Sequence, residues 1–173
     1  MNDALPTPFR RVVVTGVECS GKTTLSKNLA NHLGWAWIPE HARTHPDVLA
    51  DQVTESTIEE LHESQSNAAA MAKSEYPGVI CDTGDLVLRI WSEAKLDFSW
   101  HPVTPPDPRV DFHILCPALS SWEEDPLRTL PRFEDRLMLE QKYREHLQHR
   151  HYVVAEGDTL EARLEHVLSQ WPW

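Results

Sequence analysis

Residues 16–23 read Gly-Val-Glu-Cys-Ser-Gly-Lys-Thr, a spacing suited to holding phosphate. Gly16 and Gly21 frame a loop whose backbone N–H groups can converge on an anion. The loop leads into a helical pattern, where free amides and the helix dipole favour negative charge. Lys22 would place a cation near the terminal phosphates, and Thr23 would offer a hydroxyl to Mg²⁺. A nucleoside triphosphate, ATP or GTP, is the expected ligand. Gly16, Glu18, Cys19, Ser20, Gly21, Lys22, Thr23 and Thr24 are its expected contacts. Cys19 reads as a small filler whose amide matters more than its sulfur. Glu18 could face the acceptor or solvent.

Two acids follow apolar runs. Glu40 comes after Trp35-Ala36-Trp37-Ile38, and Asp82 ends Val79-Ile80-Cys81. Ligands of open α/β sheets bind beyond the carboxyl ends of strands, so both acids should meet the phosphate loop. A phosphotransferase needs one carboxylate for hydrated Mg²⁺ and another to receive the acceptor's proton. Asp82 suits the metal task, beside Thr23, and Glu40 the proton task. Both are also expected on the acceptor, and the bland alternative for each is a solvated cap acid. Arg43, three residues after Glu40, could position Glu40, hold substrate or form a surface pair. Asp85 reads as a possible N-cap.

Further along, Arg128, Arg132 and Arg136 recur every fourth residue in an acidic, proline-containing stretch. On one helical face they could serve a mobile lid that brings cations to the transferring phosphoryl group. Arg128 is the catalytic candidate, Arg132 the second phosphate contact, and Arg136 reads as structural. Trp100 and Trp122 lie in loops and could stack on a planar base, with Trp122 carried as a substrate contact. The adenine should lie near Gly157.

These residues need a scaffold. Val12-Val13-Val14 is a continuous apolar run, as in a buried central parallel strand. Leu25, Leu29, Ala30 and Leu33 repeat at helical spacing, and Gly34 stops that helix. Helical patterns follow over 55–74, 84–96, 132–148 and 160–170, with further strands over 79–81, 110–115 and 152–155. The proline-rich stretch 99–109 reads as a loop. Alternating strands and helices predict an α/β three-layer fold with a five-stranded parallel sheet; the glycine loop resembles that of P-loop kinases, which implies the P-loop fold and the strand order 2-3-1-4-5. A flexible lead over 1–10, a single domain over 11–173 and a small helical lid at about 118–136 complete the expected organisation.

The 173 residues suit one core, and a net charge of −11 disfavours a general nucleic-acid binder. Three cysteines without pairing pattern, no apolar leader and no long apolar run suggest a cytoplasmic protein away from membranes. The ten histidines lack partners at metal-site spacing. A monomer or homodimer is expected.

Taken together, the segments resemble NadR-type ribosylnicotinamide kinase domains. Gly16–Leu25 is similar to that family's Gly-x-Glu-Ser-Ser-Gly-Lys-Ser-Thr-Leu loop, and Glu40-His41-Ala42-Arg43 to its Glu-Tyr-Ala-Arg segment. Gln65 falls where the family has a glutamine. Asp82-Thr83-Gly84 resembles its Asp-Thr-Asp, with Gly84 in place of the last acid. Trp122 to Arg128 resembles its Trp-x-x-Asp-Gly-x-Arg lid, with Pro126 in place of glycine. The family's adenylyltransferase domain has no counterpart. The resemblance implies ATP- and Mg²⁺-dependent phosphorylation of the 5′-hydroxyl of nicotinamide riboside or a related nucleoside, with Glu40 as base. A non-catalytic nucleotide-binding switch is the alternative.

Overall fold

In the computed structural model, which describes residues 9–103 and 111–173, β1 (Arg10–Gly16) is the central strand. Its valines are buried because both faces of the sheet are covered. β1 pairs in parallel with β3 (Gly78–Asp82) on one side and β4 (Asp111–Cys116) on the other. β2 (Ala36–Ile38) and β5 (Tyr152–Val154) add the edges, giving the order β2-β3-β1-β4-β5. The register puts Val14 beside Asp82 and Gly16 beside Cys116, so the phosphate loop and Asp82 emerge at one rim.

α1 (Lys22–Leu33) and α6 (Leu160–Ser169) cover one face, packing Leu25, Leu29 and Val167 on Val12, Ile80 and Ile114. The other face carries α3 (Glu55–Ala72), α4 (Asp85–Lys95) and α5 (Phe133–Leu147). A short α2 (Pro46–Leu49) completes the α-helices among the described residues. Gly34 ends α1 in the left-handed conformation, φ 65°, as its position in the sequence predicts. At the far end of the sheet, Trp171 and Trp173 pack on Trp35 and Phe112, with Arg10 over the Trp173 ring at 4.7 Å. Among the described residues no helix is long and apolar enough to cross a membrane.

Several expectations need correction. Residues 1–8 of the expected lead, residues 104–109 of the loop and Val110 lie outside the described residues, and Arg10 already belongs to β1. The lid is not a small helical unit: residues 117–132 contain no helix, and α5 starts at Phe133. Pro126 and Pro131 explain this, since each disfavours helix in the residue before it. Asp85 does not cap α4, whose N-cap is Gly84. A Cβ at Gly84 would come 2.7 Å from Val13 Cγ1, so an acid cannot stand there without displacing the sheet's side chain.

Asp85 instead accepts from Arg150 Nη1 at 3.0 Å and Nη2 at 2.6 Å. Arg150 Nη1 also lies 2.9 Å from His113 Nε2. Burial, and then Arg150, hold the buried His113 imidazole down to about 4. Burial pushes the Asp85 carboxyl up, but the Arg150 hydrogen bonds and charge outweigh it and hold the pKa below its usual value. Asp85→Ala is expected to lower the unfolding free energy by about 3 kcal/mol in urea titrations, because it strands a mostly buried guanidinium. A carboxyl with a lowered folded pKa stabilises above its unfolded pKa and loses that contribution as pH falls through the folded value. The gap between wild type and variant should therefore close in acid, and a pH-independent gap would contradict the ion pair.

Candidate active site

The rim at the ends of β1, β2 and β3 opens into a cleft of about 260 Å³. Its floor is the phosphate loop. Gly16 has φ +135°, and a Cβ there would collide with the Cys116 carbonyl, so glycine is required where β1 breaks into the loop. Cys19 and Gly21 also adopt positive φ, at 55° and 81°. Ser20 Oγ donates to the Val17 carbonyl at 2.8 Å, and Lys22 Nζ donates to the same oxygen at 2.6 Å. Gly16, Glu18, Cys19, Ser20, Gly21, Lys22, Thr23 and Thr24 all line the cleft.

Thr23 lies in the first turn of α1, and its hydroxyl donates to Asp82 Oδ2 at 2.6 Å. Asp82 Oδ1 is buried and has no partner. Burial raises the Asp82 pKa, while the Thr23 hydroxyl and Lys22 lower it. An orphaned carboxylate oxygen beside a threonine hydroxyl at a phosphate loop fits Mg²⁺, which commonly takes one or two protein ligands and completes its shell with water and phosphate. Among the described residues no group of three or more His, Cys, Asp or Glu is placed to hold a metal. Gln65 Nε2 fixes the β3 exit, donating to the Asp82 and Thr83 carbonyls at 3.3 Å.

Glu40 follows β2 and lines the same cleft, 14% exposed. Burial first, then Asp82, raise its pKa, and Lys22 and Arg43 lower it without cancelling the rise. Arg43 Nε donates to Glu40 Oε2 at 3.0 Å. Beyond Glu40 the wall is apolar: Ala42, Val87, Ile90, Trp91, Leu127, Leu139 and Tyr143.

The lid closes the cleft from above. Glu18 accepts from the Thr129 amide at 2.7 Å, the Thr129 hydroxyl at 3.1 Å and the Leu130 amide at 3.2 Å. Glu18 therefore clasps the lid from within the phosphate loop. Cys19 Sγ accepts from the Glu123 amide at 3.3 Å and from Arg128 Nη1 at 3.6 Å. Arg128 lines the cleft over the loop, and its Nε is buried without a partner.

The three arginines part company. Arg132 does not line the cleft as expected for a phosphate contact; its side chain is 72% exposed, with Glu134 and Asp135 about 4 Å away. Arg136, 0% exposed, donates to the carbonyls of Leu119, Ser121, Leu130 and Pro131. It gathers both ends of the lid onto α5. Trp122, expected at the substrate, instead covers Arg136, its ring 5.0 Å from the guanidinium carbon. Trp100 is buried in the core, its indole N–H on Glu59 at 2.7 Å. Gly157 does not line the cleft; it makes room for the start of α6, and its carbonyl accepts from Arg163 Nε at 2.9 Å. Arg163 Nη1 then donates to the Ser20 carbonyl at 3.0 Å, bracing the loop from behind.

Arg136 and Arg163 were legible in principle. Arg136, Glu140, Tyr143 and Leu147 share one buried face of α5, and Arg163 shares that of α6 with Val167. A charge at an inward helical position implies buried partners.

A family model described as an AAA domain matches residues 11–163. No curated protein matches the chain. Among solved structures, the chain is similar to deoxyadenosine kinase from M. mycoides, at 14% identity and TM-score 0.62, covering 92% of this chain and 97% of that one. A sugar kinase from Janibacter is similar at 19% identity and TM-score 0.62, covering 94% of each chain. NadR in complex with NR is similar at 18% identity and TM-score 0.63, over 93% of this chain but 49% of NadR. These likenesses share the fold of P-loop kinases.

If Glu18 is the clasp, Glu18→Ala should speed hydrogen exchange of the Thr129 and Leu130 amides by roughly tenfold, the worth of charge-assisted hydrogen bonds. Unchanged protection would mean that the lid is held elsewhere.

Proposed function

The chain belongs to this AAA domain family, and from that premise we propose that it is an ATP- and Mg²⁺-dependent small-molecule kinase acting on a nucleoside, with nicotinamide riboside as the first candidate. One observation carries the reading: a single cleft holds a phosphate loop on one side and the partly buried carboxylate Glu40 on the other, with Arg128 over the loop. A binding switch needs the loop alone, whereas Glu40 and Arg128 suit transfer to a hydroxyl.

In this reading the acceptor hydroxyl attacks the γ-phosphorus. An O–P bond forms, the bond to the ADP oxygen breaks, and the proton passes to Glu40. Lys22 and Arg128 supply positive charge to the phosphoryl oxygens. Thr23 and Asp82 would hold Mg²⁺, which neutralises phosphate charge when bound. The apolar wall of Val87, Ile90, Trp91, Leu139 and Tyr143 suits a planar ring and keeps water from the reacting groups. NadR, a neighbour crystallised with NR, supports nicotinamide riboside as the first compound to try.

The test is incubation with ATP, Mg²⁺ and a nucleoside panel, followed by product analysis. Folded, ATP-binding protein that phosphorylates none of them would sink the proposal and favour a switch. Glu40→Gln should lower kcat by roughly 10²- to 10³-fold, while ATP affinity stays within about twofold. Because the Glu40 pKa is raised and the base must be ionised, kcat should fall as pH drops through a value above that of an ordinary glutamate. The Glu40→Gln profile should lack that limb.

A further inference from the structure

One guanidinium joins the two halves of the cleft. Arg43 stands in the short 3₁₀ turn His41–Thr44 after β2. While its Nε holds Glu40, its Nη1 donates to Asp125 Oδ2 at 2.9 Å, 82 residues further along the chain. Asp125 is itself a junction. Its Oδ1 accepts from the Leu127 amide at 2.9 Å, and its carbonyl accepts from the Arg128 amide at 2.9 Å. The placement of Asp125 thus sets the turn that carries Arg128. Pro126, with its fixed φ, stiffens that turn.

A guanidinium presents its donors in a rigid plane, so seating one edge on Asp125 fixes the direction of the edge that meets Glu40. We infer that Asp125 is a positioning residue: through Arg43 it orients the Glu40 carboxylate, so that closing the lid and setting the acceptor side are one event. The inference rests on the reading of Glu40 as the base. The Arg43, Glu40 and Asp125 side chains are 40%, 14% and 23% exposed. Either pair alone is therefore weak, and the linkage lies in their sharing one cation. When the lid lifts, Arg43 loses its second anchor and regains rotamer freedom, and Glu40 loses its fixed partner.

Two experiments test this. In ligand-free protein, Arg43→Ala is expected to speed hydrogen exchange of the Leu127 and Arg128 amides about fivefold, since reciprocal coupling requires the sheet side to steady the lid. Unchanged rates overturn the inference. This arm needs no turnover, so it stands apart from the nucleoside panel, whose failure would remove the kinase reading and not the coupling. In the active enzyme, Asp125→Asn is expected to lower kcat about fivefold, with the ATP KM within about twofold. Placed on Glu40→Gln, the same change should cost less than about twofold, because its target is already gone. Losses that multiply would show that Asp125 acts through Arg128 alone and would overturn the inference.

Discussion

The position of β1 between β3 and β4 is the constraint from which the rest follows. Parallel pairing of Val14 with Asp82 and with Ile114 brings three chain segments to one rim at the same height. The phosphate loop then has a fixed takeoff, and the 2.6 Å hydrogen bond between Thr23 and Asp82 ties the start of α1 to the end of β3. Gly16 is essential to this geometry, because the β4 backbone occupies the space a side chain would need. Without that register, the cradle and its acids would be separate features of an ordinary sheet.

The lid depends on the rim in turn, and its chemistry is divided among residues that look alike in sequence. Arg128 offers charge to the cleft, Arg136 supplies shape by binding four carbonyls, and Arg132 faces solvent. A loop with no helix of its own needs such donors, since its carbonyls have no ladder to join. Glu18 does the converse job, accepting lid amides from within the phosphate loop. Floor and roof of the cleft therefore share hydrogen bonds, and neither is set independently.

The scaffold and the cradle were readable in the sequence because their determinants are local. Val12–Val14, the glycine loop and the apolar spacing of α1 lie within about one βα unit, and Glu40 and Asp82 announce themselves by following apolar runs. The lid misled because four-residue spacing suggests a helix, and the two prolines that forbid one carry less pattern than three arginines. Glu18's partners lie 111 and 112 residues away, and no local signal names them. Trp122 and Gly157 occupy loops at the end of the sheet where a ligand is expected, but packing on Arg136 and on α6 claims them. Asp85 has the position of a cap, whereas its partner Arg150 comes from the turn between α5 and β5.

The aromatic cluster at the opposite end of the sheet has an optical consequence. Trp35, Trp171 and Trp173 lie with ring centroids 5.7–6.1 Å apart, close enough for their excited states to couple. Their near-ultraviolet circular dichroism should report how the chain's end docks on Phe112, far from the cleft. Trp91, in the cleft wall, reports a different place. The clustered tryptophans thus sit where they follow assembly of the fold, and Trp91 sits where it follows what enters the cleft.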